Sequence, residues 1–152
     1  MPKALPRHSV SVTAIVFRDD GRMLAIQRRD DGRWVPPGGV LELDETPADG
    51  VAREVLEETG FRVRAEQLTG VYKNMRLGVV SLAFRCRVIG GQPHTGSEAK
   101  QVAWLTVDEA KREMVEARAV RVTDALSGSP AVRTHDGTRL LAPSSLDATA
   151  RM

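Results

Sequence analysis

Residues 39–61 read GVLELDETPADGVAREVLEETGF, and the whole chain is best understood outward from them. Thr46 can cap a helix, Pro47 suits its first position, Asp49 can complete a capping-box-like pair, and Gly60 can end it. Ala48, Val51, Ala52, Val55, Leu56 and Thr59 fall at i, i+3, i+4, i+7, i+8 and i+11, one buried stripe of a helix over Pro47–Thr59. Gly50 is a flaw in that helix, with an expected cost of ~1 kcal/mol relative to alanine. Opposite the stripe, Glu54, Glu57 and Glu58 sit at i, i+3 and i+4, so their carboxylates share one face. Like charges at this spacing destabilise a helix by roughly 0.2–0.5 kcal/mol per pair. A cation should compensate, and clustered carboxylate oxygens suit a hard ion such as Mg2+ or Mn2+. An E-x-x-E-E run taken alone is more often a solvated acidic face.

On the N-terminal side, Val10, Val12, Ala14 and Val16 alternate with Ser9, Ser11, Thr13 and Ile15, a period of two that reads as a strand. Asp19-Asp20-Gly21 is turn chemistry before a second strand over Met23–Arg29, so the two are expected to form a hairpin. Arg33–Val35 adds a short strand before Pro36-Pro37-Gly38-Gly39, which can be neither helix nor central strand. On the C-terminal side, Gln67–Tyr72, Val79–Val88 and Val102–Leu105 read as strands, with Val80, Leu82, Phe84, Cys86 and Val88 on one face. Thr106 with Glu109 resembles another capping box. The helical sequence it opens runs, with a break, to Leu126, and Val115, Ala119, Val122 and Leu126 form its buried side. Ala131–Leu141 around Asp136-Gly137 reads as a last hairpin.

Composition sets the bounds. The chain has 152 residues, 41% apolar and 28% charged, which fits one domain over residues 1–152 with its own core. Residues 1–8 are expected to be a loose arm and 142–152 a tail. Unbroken apolar stretches such as Ala14–Phe17 fall far short of the ~20 residues that cross a bilayer. The start lacks a signal-peptide h-region, so a cytoplasmic chain is expected. Cys86 is the only cysteine, which excludes an internal disulfide and a multi-thiolate zinc site. The net charge is +2, with the basic residues scattered, and the dense run Arg53–Glu58 is mostly acidic. No extended nucleic-acid surface is expected. His8, His94 and His135 lack metal-ligand spacing and are read as surface residues.

The segment 39–61 resembles the signature of the Nudix hydrolases: Gly, five residues, Glu, seven residues, then Arg-Glu-aliphatic-x-Glu-Glu-x-Gly-aliphatic. Gly39, Glu45, Arg53, Glu54, Glu57, Glu58 and Gly60 occupy its fixed positions, and Val55 its first aliphatic. Phe61 stands where an aliphatic is usual. At residue frequencies of roughly 5–10%, such a match arises by chance about once in 10⁸ windows. The likeness extends through Arg28-Arg29, the Pro-Pro-Gly-Gly run and the order of strands around one helix, and it fades after about Leu105.

The resemblance implies an α/β/α sandwich with a mixed β-sheet. It also implies a Mg2+-dependent pyrophosphohydrolase, with Mn2+ as the substitute. The expected substrate is a small-molecule nucleoside diphosphate linked to a group X, with a (deoxy)nucleoside triphosphate as the first candidate. A homodimer is an option. Carried over by position, Glu54, Glu57 and Glu58 become metal ligands with a backbone carbonyl at Gly38 or Gly39. Arg53 orients the acidic cluster and pairs with Glu45. The catalytic base is either a box glutamate, Glu54 or Glu57, or Glu98 in the loop between Gly90 and Lys100. Arg29, Trp34, Tyr72 and Asn74 are the candidates for substrate contact, with Lys73 beside them, while Cys86 reads as a small core residue.

Two other function classes are weighed. Nudix-like sensors that bind nucleotides without cleaving them generally lose box glutamates, and this chain keeps them. The isopentenyl diphosphate isomerases place a catalytic cysteine in a motif that is absent here. Among substrate markers, the Ser-Gln-Pro-Trp-Pro run of the NADH-cleaving type is missing. Arg76 and Leu77 stand where ADP-ribose types carry a proline, and the tyrosine of the dinucleoside polyphosphate type would lie farther on than Tyr72. These absences select no substrate.

Overall fold

A computed structural model of the protein describes residues 4–142; most of the expected C-terminal tail and the first residues of the arm lie outside the described residues. Eleven elements follow in order. β1 (Ser9–Val16), β2 (Met23–Arg28), β3 (Trp34–Val35) and β4 (Gly38–Val40) precede helix α1 (Pro47–Thr59). β5 (Phe61–Asn74), β6 (Val79–Gly91) and β7 (Ala99–Leu105) come next. Helices α2 (Val107–Glu113) and α3 (Glu116–Asp124) and strand β8 (Ala131–His135) complete the fold.

The strands divide between two sheets, a mixed one in the order β4-β1-β6-β5-β8 and an antiparallel one in the order β3-β2-β7. β1 runs parallel to β6, and β5 parallel to β8. Val12, Ala14 and Val16 of β1 and Leu24 of β2 turn to one side and pack under Val51 and Val55 of α1, with Val63 and Cys86. Ile15, Met23 and Ala25 turn to the other side, against Ala110, Met114, Ala119 and Val122 of α2 and α3. Helices therefore cover both sides, the α/β/α sandwich with a mixed sheet that the resemblance implies. No helix among the described residues is long and apolar enough to cross a membrane.

Helix α1 has the bounds expected. The Thr46 hydroxyl accepts from the Asp49 N–H at 3.1 Å, and Gly60 ends the helix at φ 80°. The buried stripe is narrower than the periodicity suggests, since Ala48 and Leu56 are exposed. Gly50 has a positive reason to be glycine. A Cβ there would lie 2.5 Å from Leu41 Cδ1 and 2.9 Å from Glu45 Oε1. The loop that carries Glu45 can pack on the helix only where a side chain is missing.

Four local expectations need correction. The β1–β2 hairpin shrinks to a single bridge, Phe17 to Met23, because β4 and β6 already occupy both edges of β1 and β2 pairs instead with β3 and β7. The last hairpin shrinks likewise to the bridge His135–Leu140, and β8 takes its hydrogen bonds from the edge of β5. Leu126 is exposed, because α3 ends at Asp124. His135, read as a surface residue, is buried at 3% exposure, because β8 is laid parallel to β5 beneath α3.

Candidate functional site

The acidic face of α1 finds its counter-charge in its own sequence. Arg53 Nε and Nη2 donate to the two carboxylate oxygens of Glu45 at 2.9 and 2.7 Å. Nη1 reaches Glu54 Oε1 at 3.0 Å and Glu57 Oε2 at 3.3 Å, and Nη2 also donates to the Val40 carbonyl at 3.2 Å. The guanidinium holds the Glu45 carboxyl at about 2, well below the usual carboxylate range. This network ties the loop before the helix to the glutamates on it. It also relieves the repulsion between carboxylates three and four residues apart.

Glu58 is treated differently. It is partly buried, and Oε2 accepts only a long bond from the Gly38 N–H, at 3.4 Å. Burial and then the adjoining Glu54 carboxylate hold its carboxyl well above the ordinary range. Gly39 lies against the same group, since a Cβ on it would fall 2.5 Å from Glu54 Oε1. Backbone of the glycine loop and carboxylates of the helix are thus brought together.

Glu54, Glu57, Glu58 and Glu98 line one cavity of about 250 Å³. β7 begins at Ala99, directly after Glu98, whose carbonyl accepts the Arg29 N–H at 3.1 Å. That bond fixes the loop end of β7 to the end of β2. The Glu98 carboxylate accepts no hydrogen bond among the described residues. The donor set, all carboxylate and carbonyl oxygen, fits a hard divalent cation. Even so, no three His, Cys, Asp or Glu side chains among the described residues converge at metal-ligand spacing. Arg53 has drawn Glu54 and Glu57 to itself instead.

Glu58 and Glu98 also line a second and larger cleft of about 650 Å³, so the acidic cavity and the cleft meet at these two residues. The cleft runs between the sheets, floored by β1 and β6 and walled by β2, the Pro36–Gly39 loop and α3. Arg29 and Asn74 line it as expected, although Asn74 Oδ1 is engaged by the N–H groups of Arg76 and Leu77 in the turn after β5. Arg28 lines it too, held by Asp30 at 2.6 Å.

Two of the candidate substrate residues do not reach the cleft. Trp34 packs against the Ile15–Met23 side of the core, and it is its neighbour Val35 that faces the cleft, since successive strand residues point opposite ways. Tyr72 is fully buried. Its hydroxyl donates to Asp124 Oδ2 at 2.8 Å, and its ring lies under the Arg121 guanidinium at 4.7 Å. Both aromatics are packing residues.

Arg118 and Arg121 of α3 and His135 of β8 also line the cleft, although the sequence does not single out the two arginines and places His135 on the surface. Ala117, Arg121 and Asp124 at i, i+4 and i+7 form a buried stripe with charge inside it. That spacing was visible in the sequence, but it lay beside a more apolar stripe that drew the assignment of the buried face.

A helix bearing clustered glutamates at the mouth of a polar cleft, inside an α/β/α sandwich, is the arrangement that the resemblance of residues 39–61 implies. The family model of the NUDIX domain matches residues 7–126, and the chain belongs to the Nudix hydrolase family. A MutT-like protein of Streptomyces ambofaciens is 58% identical over 137 residues, which cover 90% of this chain and 89% of that protein. An ADP-ribose pyrophosphatase of Methanocaldococcus jannaschii is 34% identical over 107 residues, 66% of this chain and 63% of that one. Among solved structures, an ADP-ribose pyrophosphatase from Streptococcus suis shares the fold with a TM-score of 0.71 at 24% identity, covering 85% of this chain and all (100%) of the other. Enzymes of this family generally use a divalent metal and small nucleotide substrates.

Proposed function

We propose that the chain acts as one domain and hydrolyses a diphosphate bond in a nucleoside diphosphate linked to X, with Mg2+ as its cofactor and Mn2+ as a substitute. The observation that carries this reading is the meeting of a four-carboxylate cavity with a polar cleft at Glu58 and Glu98. Glu54, Glu57 and Glu58, with the Gly39 carbonyl, would hold the cation. A divalent cation held there would supply positive charge beside the diphosphate and would lower the pKa of a water. Arg53 is a positioning residue, since it reaches the reacting atoms only through Glu54 and Glu57.

Glu98 is the base we favour. Glu54 and Glu57 are both engaged by Arg53, whereas the Glu98 carboxylate accepts no hydrogen bond among the described residues and can take the proton of an attacking water. Arg29 and Asn74 contact the substrate from the cleft wall. A (deoxy)nucleoside triphosphate remains the first candidate. ADP-ribose stands beside it on the activity of the Methanocaldococcus jannaschii relative, against the absence of that type's proline at Arg76–Leu77. Turnover of nucleotides and nucleotide sugars, read by phosphate release with coupled pyrophosphatase, should vanish in EDTA and return with Mg2+. Undiminished turnover in chelator would overturn the reading.

A further inference from the structure

We infer that Arg118, Arg121 and the Nε2–H of His135 form an anion-binding subsite in the cleft, which takes a phosphate or carboxylate carried by group X of the substrate. The subsite is separate from the carboxylate cavity, which neither arginine lines, and the inference rests on the reading of the site as a nucleoside diphosphate-X hydrolase.

The first observation is a pair of guanidinium groups without a salt-bridge partner among the described residues: Asp31 acts on Arg118 only from a distance, and Arg121 has the Tyr72 ring at 4.7 Å. Arg121 is 1% exposed, yet no carboxylate among the described residues pairs with it. Asp124, three residues on, belongs to Arg133 at 2.7 and 2.8 Å and to the Tyr72 hydroxyl. Buried charges are ordinarily paired, because desolvating one alone is costly. The Arg118 side chain has neither a hydrogen bond nor an ion pair among the described residues, and both side chains line the cleft.

The second observation concerns donors. Arg121 Nε donates to the Ala117 carbonyl at 3.1 Å and Nη1 to the Thr13 hydroxyl at 2.9 Å. Its Nη2 stands 3.3 Å from His135 Nε2. The other ring nitrogen of His135, Nδ1, accepts the Gly137 N–H at 2.9 Å. A neutral imidazole that accepts at Nδ1 carries its proton on Nε2. Nη2 and Nε2 therefore present a donor to a donor, and an imidazolium would do so more strongly. An acceptor shared between them removes the conflict, and an anionic oxygen also supplies the charge that both arginines lack. Burial and the two arginines, Arg121 foremost, keep His135 neutral by lowering its pKa to about 4.

The ligand is identified by chemistry alone: a tetrahedral or planar oxyanion with several acceptor oxygens. A bare Arg121 strut between α3 and β1 would leave Arg118 irrelevant, and this separates the two readings. Inorganic phosphate titrated into the protein in EDTA, at constant ionic strength with chloride as control, should raise the Tm and give a saturable heat by calorimetry. Arg118→Gln removes no side-chain hydrogen bond or ion pair among the described residues and should weaken that binding at least tenfold, with Arg118→Lys in between. In metal-loaded turnover, two nucleoside diphosphate-X substrates that differ only by one phosphate on X would be compared. Arg118→Gln should lower the preference for the phosphorylated one at least tenfold, mainly through KM.

Glu57→Gln should keep phosphate binding while it loses turnover, so a failed hydrolase reading and a failed subsite give different results. If wild-type protein shows no saturable phosphate binding, or if Arg118→Gln binds phosphate as wild type does, the subsite is overturned. Binding of free phosphate with no change in substrate preference would also overturn its assignment to group X.

Discussion

Helices α1 and α3 both carry charged side chains to the same cleft, but they resolve their charge in opposite ways. On α1 the glutamates, together with the loop residue Glu45, gather around Arg53, which lies one residue from Glu54, four from Glu57 and eight from Glu45. On α3 neither cleft arginine forms a salt bridge with a carboxylate among the described residues. Arg121 reaches Thr13, which lies 108 positions away in sequence, and His135, 14 away. Three carboxylates around one guanidinium leave α1 negative and preset for a further cation. A region left positive is preset for an anion. The chain thus offers acid at one part of the cleft and base at another, as a metal-bound diphosphate with a charged appendage requires.

The same contrast explains what could be read in advance. Everything that defines α1 lies within 23 consecutive residues: cap, first-turn proline, stripe, acidic face and terminal glycine. Helical geometry alone converts that spacing into a shared face. Arg118, Arg121 and His135 acquire their meaning only after β8 has paired with β5 and α3 has crossed β1, and no short-range pattern encodes that. Trp34 and Tyr72 failed for a related reason. Alternation says that neighbours in a strand face opposite ways, but which of two covered faces borders the cleft is decided by the packing of distant elements. Glu98 was legible as a loop acid but not as a neighbour of Glu54. That required the bond between its carbonyl and the Arg29 N–H.

The largest effect should come from testing the buried side of α1 against its acidic side. Val55 is fully buried between α1 and the sheet, so Val55→Asp places an unpaired carboxylate in the core. That cost, several kcal/mol, is comparable with a domain's whole stability of ~5–15 kcal/mol. No cooperative unfolding transition should remain by circular dichroism. A soluble, active Val55→Asp protein would mean that the two helix faces are reversed.

Glu57→Gln tests the other face. Its side chain is 59% exposed and only one of several partners of Arg53, so the Tm should stay within a few degrees. The turnover rate, however, should fall by several orders of magnitude through loss of a metal ligand. Unchanged turnover in this variant would remove α1 from the chemistry.

Glu98→Gln comes next in size. As general base, Glu98 should be worth about 10²–10⁴-fold in kcat, with metal affinity and KM little altered, since such a group acts mainly in the transition state. A loss under tenfold would return the role to Glu54 or Glu57, whose glutamine variants should then disturb metal binding and rate together.

The smallest effect sharpens the α3 side and appears in stability against pH. His135 sits at 3% exposure facing Arg118 and Arg121, with Asp136 as the one opposing charge, and its pKa falls to about 4 from an ordinary 6.5. The folded protein therefore resists a proton that the unfolded chain accepts. Between those values the unfolded state binds more protons, so stability rises with pH. The contribution is complete above about 6.5, is lost as the pH falls towards 4, and is flat below. At about 1.4 kcal/mol for each tenfold change in proton affinity, the loss is on the order of 3 kcal/mol. Glu58 works in the opposite direction, because its raised carboxyl favours the protonated folded state. The measurement is therefore a difference: urea unfolding from pH 7 to pH 4 for wild type and for His135→Gln. The variant should lose the slope that belongs to the histidine and keep the rest. An identical slope in both proteins would mean that His135 is not shielded as a neutral ring beside Arg121, and the contrast between an acidic α1 gathered on Arg53 and an α3 whose cleft arginines form no salt bridge would lose its electrostatic basis.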